Sequence, residues 1–323
     1  MIQRLTGQLP TWARPTHPIL RHELGQRGGR PRWQVRYTRA FMIIGLIAVL
    51  ALIGVLTATG VGTHAAGQNI VESTNALLYY PLIIVQLVAR IAAFLLTVET
   101  VGQQQRSGTW DHLRATEKGA ELTLRARWAT VFYRMRGLLG GITLLRIVLL
   151  GLMLYDLTSF QGRHLDLFIV GITPDVPLVL AVLLLSFMMT AGLLLPFTGV
   201  GLDASLGLLV SSHVQQRVYS VLIQVMFILV RVIVVGALLL AASTYLGGGL
   251  DLSSGVSWVL LFAFAAVGDW GLAFLYLGRF GEVWAIVPYG ILIGLALMIF
   301  AFVQAGLADA ILGLAARRAQ HRG

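Results

Sequence analysis

Long apolar runs recur along this chain, and no other feature constrains its fold as strongly. Each run holds about 20 residues or more, which is enough for a helix to cross the roughly 30 Å hydrocarbon core of a bilayer. The runs cover residues 41–60, 77–98, 138–157, 177–197, 221–246, 256–277 and 283–307. We therefore predict an all-α, polytopic integral membrane protein whose transmembrane domain spans residues 41–307.

The composition excludes a soluble globular enzyme. Of the 323 residues, 57% are hydrophobic and only 12% are charged, whereas roughly a quarter of an ordinary soluble domain is charged. The chain has no cysteine, so disulfides, iron–sulfur clusters and zinc sites built from thiolates are excluded. The net charge of +10 comes from arginine, since Lys118 is the only lysine.

The basic residues predict the orientation of the chain, because arginine and lysine gather on the cytoplasmic side during insertion. Residues 1–40 contain eight arginines and one acidic residue, and the loop 99–137 contains seven basic residues. Three other loops, taken together, contain only one basic residue. These loops are 61–76, 158–176 and 247–255. The long Arg-rich start is unlike a cleavable signal peptide. We expect a multi-pass protein of the bacterial plasma (inner) membrane with a cytoplasmic N-terminus.

The run 256–277 is the weakest candidate for a crossing. A Gly-Asp-Trp-Gly sequence interrupts it at 268–271, and a broken, charged backbone is tolerated at membrane depth only where protein or water satisfies its polar groups. We expect residues 256–282 to form a re-entrant hairpin that enters from outside. Six transmembrane helices then remain, and the tail 308–323 is cytoplasmic. The alternative is seven crossings with the tail outside.

The N-terminal arm, residues 1–40, is predicted to contain a short helix. After Pro15 and Pro18, residues 19–26 place Leu20 and Leu24 on one face, with neighbouring arginines able to meet lipid phosphates. We expect this helix to lie along the inner membrane surface. The alternative is a solvated basic arm that only follows the positive-inside rule.

A second helix is predicted within the loop 99–137. Leu124, Trp128 and Phe132 follow one another at intervals of four residues, which gives one apolar stripe on a cationic helix from Leu122 to Arg136. The stripe predicts either a docking surface or a helix at the membrane interface.

The sequence carries no motif for catalysis or for binding a cofactor. A phosphate-binding loop needs glycines followed by Lys and Ser or Thr, but the only lysine lies in Thr-Glu-Lys-Gly at 116–119. There is no HExxH zinc motif and no nucleophile elbow, and the seven histidines fall in loops or at the ends of runs. We expect no enzymatic activity, no catalytic residue, no metal and no cofactor in this chain, so a partner would have to bind any ATP.

Three arginines lie near the centres of predicted crossings. They are Arg90, Arg146 and Arg231, and each costs at least about 2.5 kcal/mol to insert. One interpretation is a cationic patch at the midplane that contacts an anionic substrate or a lipid headgroup. The other is structural, with the guanidinium groups bonded to backbone carbonyls, to glutamines or to Asp269 and joining helices together.

Three segments resemble the permease subunits of type-2 ABC transporters, the ABC-2 family. Residues 17–24, His-Pro-Ile-Leu-Arg-His-Glu-Leu, are similar to the Asn-Pro-hydrophobic-Arg-Glu-Leu opening that forms the elbow helix of these permeases. Residues 99–116 resemble the stretch after the second span, where Glu-Arg precedes Gly-Thr-Leu-Glu-hydrophobic-Leu. Residues 207–212 resemble the small-residue and serine run after the fourth span. The matching elbow positions are Pro18, Arg21 and Glu23.

The resemblance implies a membrane-spanning permease subunit of an exporter, driven by separate nucleotide-binding ATPase subunits. In that family, the loop after the second span carries the coupling helix that docks on the ATPase. The corresponding positions here are Arg106, Gly108, Thr109, Trp110, Asp111 and Leu113. The implied partners are the ATPase, a second copy or a sister permease, and membrane lipids, with no nucleic acid.

A hypothesis from another class stays open beside the transporter. The chain would then be a non-catalytic structural subunit of a larger membrane complex, such as an energy-conserving or photosynthetic assembly, whose arginines bind lipids or neighbouring subunits. A secondary transporter with a proton relay is less favoured, because such relays need acidic residues or histidines at depth.

Overall fold

The structure is a computed structural model that describes residues 10–15, 17–25, 70–102, 119–159, 178–214, 216–246, 262, 263, 266 and 289–321. Within these ranges the chain is all-helical and has no strand. A short 3-10 turn, Thr11–Ala13, precedes six helices. They are α1 (Pro18–Gly25), α2 (Ile70–Val98), α3 (Gly119–Ser159), α4 (Leu178–His213), α5 (Arg217–Leu246) and α6 (Tyr289–His321).

Four segments of these helices are long and apolar enough to cross a membrane, which is compatible with membrane insertion. They are Pro81–Gly102, Ser186–His213, Arg217–Leu238 and Gly294–Gln320. This count, taken over the described residues, is lower than the six or seven crossings expected from the sequence. The predicted crossing 41–60 lies outside the described residues, as does most of the predicted hairpin 256–282.

Helix α4 is the centre of the bundle, because it packs against α2, α3 and α6. Its buried residues Leu195 and Ala204 join one apolar cluster with residues from each of those helices. Buried members from the other helices include Leu82, Ala93, Ile142, Leu297 and Ala301. Helix α5 contributes no residue to this cluster in the described part of the chain, and it packs chiefly on α2.

Helices α2 and α4 cross closely because Gly207 has no side chain. A Cβ at Gly207 would lie 2.7 Å from the carbonyl oxygen of Phe94 and would also collide with the hydroxyl of Thr97. Any larger residue therefore has to push backbone away. By contrast, Gly137 and Gly141, which have the spacing of a helix-packing GxxxG pair, would meet nothing within 4 Å.

Helix α3 is continuous for 41 residues, whereas the sequence predicted a loop helix 122–136 followed by a separate crossing 138–157. The three glycines at 137, 140 and 141 do not break it, because a glycine inside a helix costs only about 1 kcal/mol relative to alanine. The predicted cationic helix and the predicted crossing are therefore one element.

Helices α4 and α6 both extend beyond their apolar runs. The sequence predicted that the fourth crossing ends at 197, but α4 continues to His213. The serine run 207–212, expected after the end of this helix, is therefore part of it. Ser205 and Ser212 fit in this extension because each hydroxyl donates a hydrogen bond to a carbonyl three residues earlier. Residues 308–321, expected as a tail, continue α6.

Candidate functional site: a carboxylate shared by two arginines

Asp203 of α4 is fully buried and receives hydrogen bonds from two arginines on two other helices. Its Oδ2 accepts a bond of 2.7 Å from Nε of Arg90 in α2. Its Oδ1 accepts a bond from Nη2 of Arg231 in α5. One carboxylate therefore joins α2, α4 and α5.

Residues of α4 and α5 near Asp203 pack closely against these guanidinium groups. Gly199 lies one turn before Asp203 on α4, and a Cβ there would be only 3.1 Å from Cζ of Arg90. The glycine thus makes room for the guanidinium beside the carboxylate. On α5, Cζ of Arg231 lies 5.3 Å from the ring centroid of Phe227, and that ring stacks on Phe94 of α2 with centroids 3.9 Å apart.

Buried charge pairs of this kind have a characteristic energetics. Removing one partner leaves a buried charge behind and costs about 3–5 kcal/mol, whereas replacing the whole set by apolar residues is often neutral. The cluster is therefore weak evidence for added stability, although it joins α2, α4 and α5 at one carboxylate. It also holds a buried guanidinium, that of Arg90, and a partly exposed one, that of Arg231, on the two oxygens of one carboxylate.

The three arginines singled out from the sequence are thus not equivalent. Arg90 and Arg231 both bond to Asp203, which is not one of the partners considered for them in the sequence. Arg146, on α3, has no solvent exposure. Gln224, considered as another arginine partner, instead donates from Nε2 to Oε1 of Glu99 at 3.5 Å.

The described residues on either side of 103–118 are joined to the bundle. The backbone N–H groups of Val101 and Gly102 both donate to Oγ of Ser211 on α4, at 2.8 and 3.4 Å. On the other side of the loop, Ala120 and Leu124 are buried in a second apolar cluster with Leu208 of α4. The buried residues of α6 in that cluster are Leu312, Ala315, Ala316 and Ala319.

The apolar stripe of α3 packs inward. Leu124 has no exposure, Nε1 of Trp128 donates to the carbonyl oxygen of Gly201 at 2.8 Å, and Phe132 packs against the main cluster. The stripe itself is present, but its use as an external docking surface or a membrane-facing surface is wrong, because α4 already covers it. The cationic face is also partly internal, since Arg127 is buried.

Helix α1 packs on the N-terminal half of α3. Leu20 is fully buried against Ala126 and Ala129, and the hydroxyl of Tyr133 donates to the carbonyl oxygen of Ala13 at 2.8 Å. Leu24, predicted to share a face with Leu20, is exposed.

Of the elbow residues, Pro18 and Arg21 are exposed, and Glu23 lies within the same helix. The location of α1 at a membrane surface stays a prediction.

The six positions proposed for coupling, at 106, 108, 109, 110, 111 and 113, lie outside the described residues.

Asp203 is the residue that the sequence analysis missed. A signal was present, because Asp203 is the only charged residue (Asp, Glu, Lys or Arg) between Leu178 and His213. The apolar run ends at Phe197, so Asp203 falls beyond the crossing that the sequence predicts.

Comparisons of the chain with family models, with curated proteins and with solved structures found no match. In the described part of the chain, no group of three or more histidine and acidic side chains is placed to hold a metal ion.

Proposed function

We propose that this chain is the membrane-spanning subunit of an exporter of the ABC-2 kind and that separate ATPase subunits drive it. The ATPase docks on the cytoplasmic loop 103–118, which follows the second of six crossings. The chain functions with a second copy or a sister permease in the bacterial inner membrane, and its N-terminus faces the cytoplasm.

The observation that carries this proposal is how the loop 103–118 is joined to the helices. Its first end is bonded to Ser211 through two backbone N–H groups, and its second end is packed on Leu208 and α6. A protein that binds this segment could act on α4, because the described residues on both sides of it contact α4.

Helix α4 connects these attachments to the buried ion pairs, because it carries both Ser211 and Asp203. Ser211 and Asp203 lie on the same helix, about 12 Å apart at 1.5 Å per residue. A shift of α4 therefore moves the carboxylate that joins Arg90 and Arg231. ATP binding in a partner can bias the permease only through an element that it contacts and that has two positions, and α4 with its shared carboxylate is suited to be that element.

The arginines favour cargo with an anionic group. Arg90 is buried and Arg231 partly exposed beside it, and Arg146 is fully buried on α3. Arginine at membrane depth is costly and commonly marks a substrate path or an ion-pair network. We assign Arg90 and Arg231 to the cargo path, with Arg146 as a further member.

The test is affinity purification of the tagged full-length protein from membranes of its own host. The wild type should retain an ATP-binding subunit, and the variant with Trp110, Asp111 and Leu113 all replaced by alanine should lose at least about 10-fold of it, as removal of a central contact group does. Arg318→Ala, an exposed change at the end of α6, is the control and should retain the ATPase.

The alternative predicts another outcome of the same experiment. A structural subunit of an energy-conserving or photosynthetic assembly should co-purify with redox or pigment-binding proteins, and the triple alanine variant should not affect that association. Such a result would refute the transporter.

A further inference from the structure

Helix α2 ends at Val98 and the chain is helical again from the residue after Glu99, so Glu99 interrupts the helix. In an uninterrupted helix, the N–H groups of Val101 and Gly102 would donate to carbonyls four residues earlier. Here both N–H groups donate to Oγ of Ser211 on α4, at 2.8 and 3.4 Å. A side chain of another helix thus takes part in the backbone hydrogen bonding at this interruption.

The two sides of the interruption are held in different surroundings. Before it, α2 crosses α4 closely at Gly207, where a Cβ would lie 2.7 Å from the carbonyl oxygen of Phe94. After it, Val101 packs in the second apolar cluster with Leu208 of α4. Val101 and Ser211 are only 0% and 1% exposed, so water does not readily replace the hydroxyl of Ser211 as the acceptor.

The described residues on the two sides of 103–118 also differ in how firmly they are fixed. After this segment the chain enters α3, one helix of 41 residues that contributes to both apolar clusters. Before it, residues 100–102 are separated from the body of α2 by Glu99. Hinges are commonly positions at the ends of elements, where a change of φ and ψ is absorbed. Residues 100–102 are therefore the flank better suited to move.

We propose that Glu99 is a hinge and that Ser211 is the positioning residue that couples residues 100–102 to the end of α4. When a protein bound at 103–118 displaces residues 100–102, the bond to Ser211 carries the displacement to the last turn of α4. From there it continues to α5, which begins four residues after α4 ends. That the displacing protein is an ATPase rests on the proposed function, whereas the hinge and the bond do not.

Hydrogen exchange resolved to single amides tests the bond in the purified full-length protein. In Ser211→Ala, the buried N–H groups of Val101 and Gly102 lose their acceptor, and we expect them to exchange at least about 10-fold faster. Exchange over residues 82–94, in the body of α2, should stay as in the wild type. A residue that only stabilised the whole bundle would raise exchange in both places.

Ser212→Ala is the matched control. Ser212 is 2% exposed, and its hydroxyl donates to the carbonyl oxygen of Leu209 in its own helix. This variant removes an equally buried hydroxyl that is bonded within α4, so exchange at Val101 and Gly102 should stay as in the wild type.

The coupling is tested in the complex that co-purifies from host membranes, with the non-hydrolysable nucleotide AMP-PNP. The nucleotide should change the exchange of residues 209–214 in the wild type and in Ser212→Ala. Ser211→Ala should retain the ATPase and lose this change, because the displacement no longer reaches α4. A nucleotide effect on 209–214 that persists in Ser211→Ala would contradict the coupling.

Other outcomes overturn the remaining parts of the proposal. Equal exchange at Val101 in Ser211→Ala and Ser212→Ala refutes the role of Ser211, and faster exchange along the whole of α2 refutes the hinge. If Ser211→Ala does not fold, the wild type decides: Val98 and Val101 are both buried, and equally slow exchange of the two amides refutes the hinge. If no ATPase co-purifies, the proposed function fails, and exchange in the isolated chain still decides on the bond.

Discussion

At the scale of single residues, one buried carboxylate is central. Asp203 has no exposure and joins Arg90 to Arg231, so its neutralisation leaves two guanidinium groups without their shared anion. We expect Asp203→Asn to lower the free energy of unfolding by about 3–5 kcal/mol, measured by thermal unfolding in detergent. The triple variant Arg90→Met, Asp203→Leu, Arg231→Met should regain most of this loss, because it removes all three charges of this cluster together. A triple variant less stable than Asp203→Asn would contradict this energetics.

Glycines give a second prediction at the residue scale. Gly207→Ala places a methyl group against the carbonyl of Phe94 and the hydroxyl of Thr97, and we expect a loss of about 1–3 kcal/mol from overpacking. Gly141→Ala on α3 meets open space and should be neutral or more stable by up to about 1 kcal/mol, because alanine favours helix. Thermal unfolding of the two variants compares them directly, and equal losses would be inconsistent with the close crossing of α2 and α4.

At the scale of elements, and within the described residues, the apolar runs predicted where helices occur but not where they end. Run length reports the extent of apolar surface, whereas a helix continues for as long as its backbone hydrogen bonds and side-chain contacts allow. For this reason α3 unites a cationic half with an apolar half, and α4 carries Asp203 beyond the predicted boundary. The shared carboxylate could not be inferred from a scan of separate runs, because pairing between helices depends on their packing.

Helix α1 gives a prediction at the element scale. Tyr133→Phe removes the hydroxyl that donates to the carbonyl oxygen of Ala13, at a cost of about 1 kcal/mol. We expect faster hydrogen exchange in residues 10–15 and 17–25, because a docked element that loses a contact opens more often. Tyr219→Phe on the exposed surface of α5 is the control. Unchanged exchange in the Tyr133→Phe protein would mean that apolar contacts alone dock α1.

At the scale of the whole molecule, an external motor is proposed to act on α4. The two flanks of the loop 103–118 are bonded or packed on α4, α4 packs on α2, α3 and α6, and its carboxylate holds α5. Helix α4 therefore contacts each of the other helices that a motor acting at 103–118 is proposed to move. The sequence pattern pointed to the loop and to the arginines, whereas the attachments through Ser211 and Asp203 emerged only from the fold.

The most direct test of this account asks on which side of the membrane the loop lies. Trp110→Cys introduces the only cysteine of the chain, and a membrane-impermeant maleimide is applied to intact right-side-out vesicles and to inverted vesicles. We predict labelling in inverted vesicles and protection in right-side-out vesicles until they are permeabilised. Labelling of Trp110→Cys from the outside of intact vesicles would contradict the account, because a cytoplasmic ATPase could then not reach the loop.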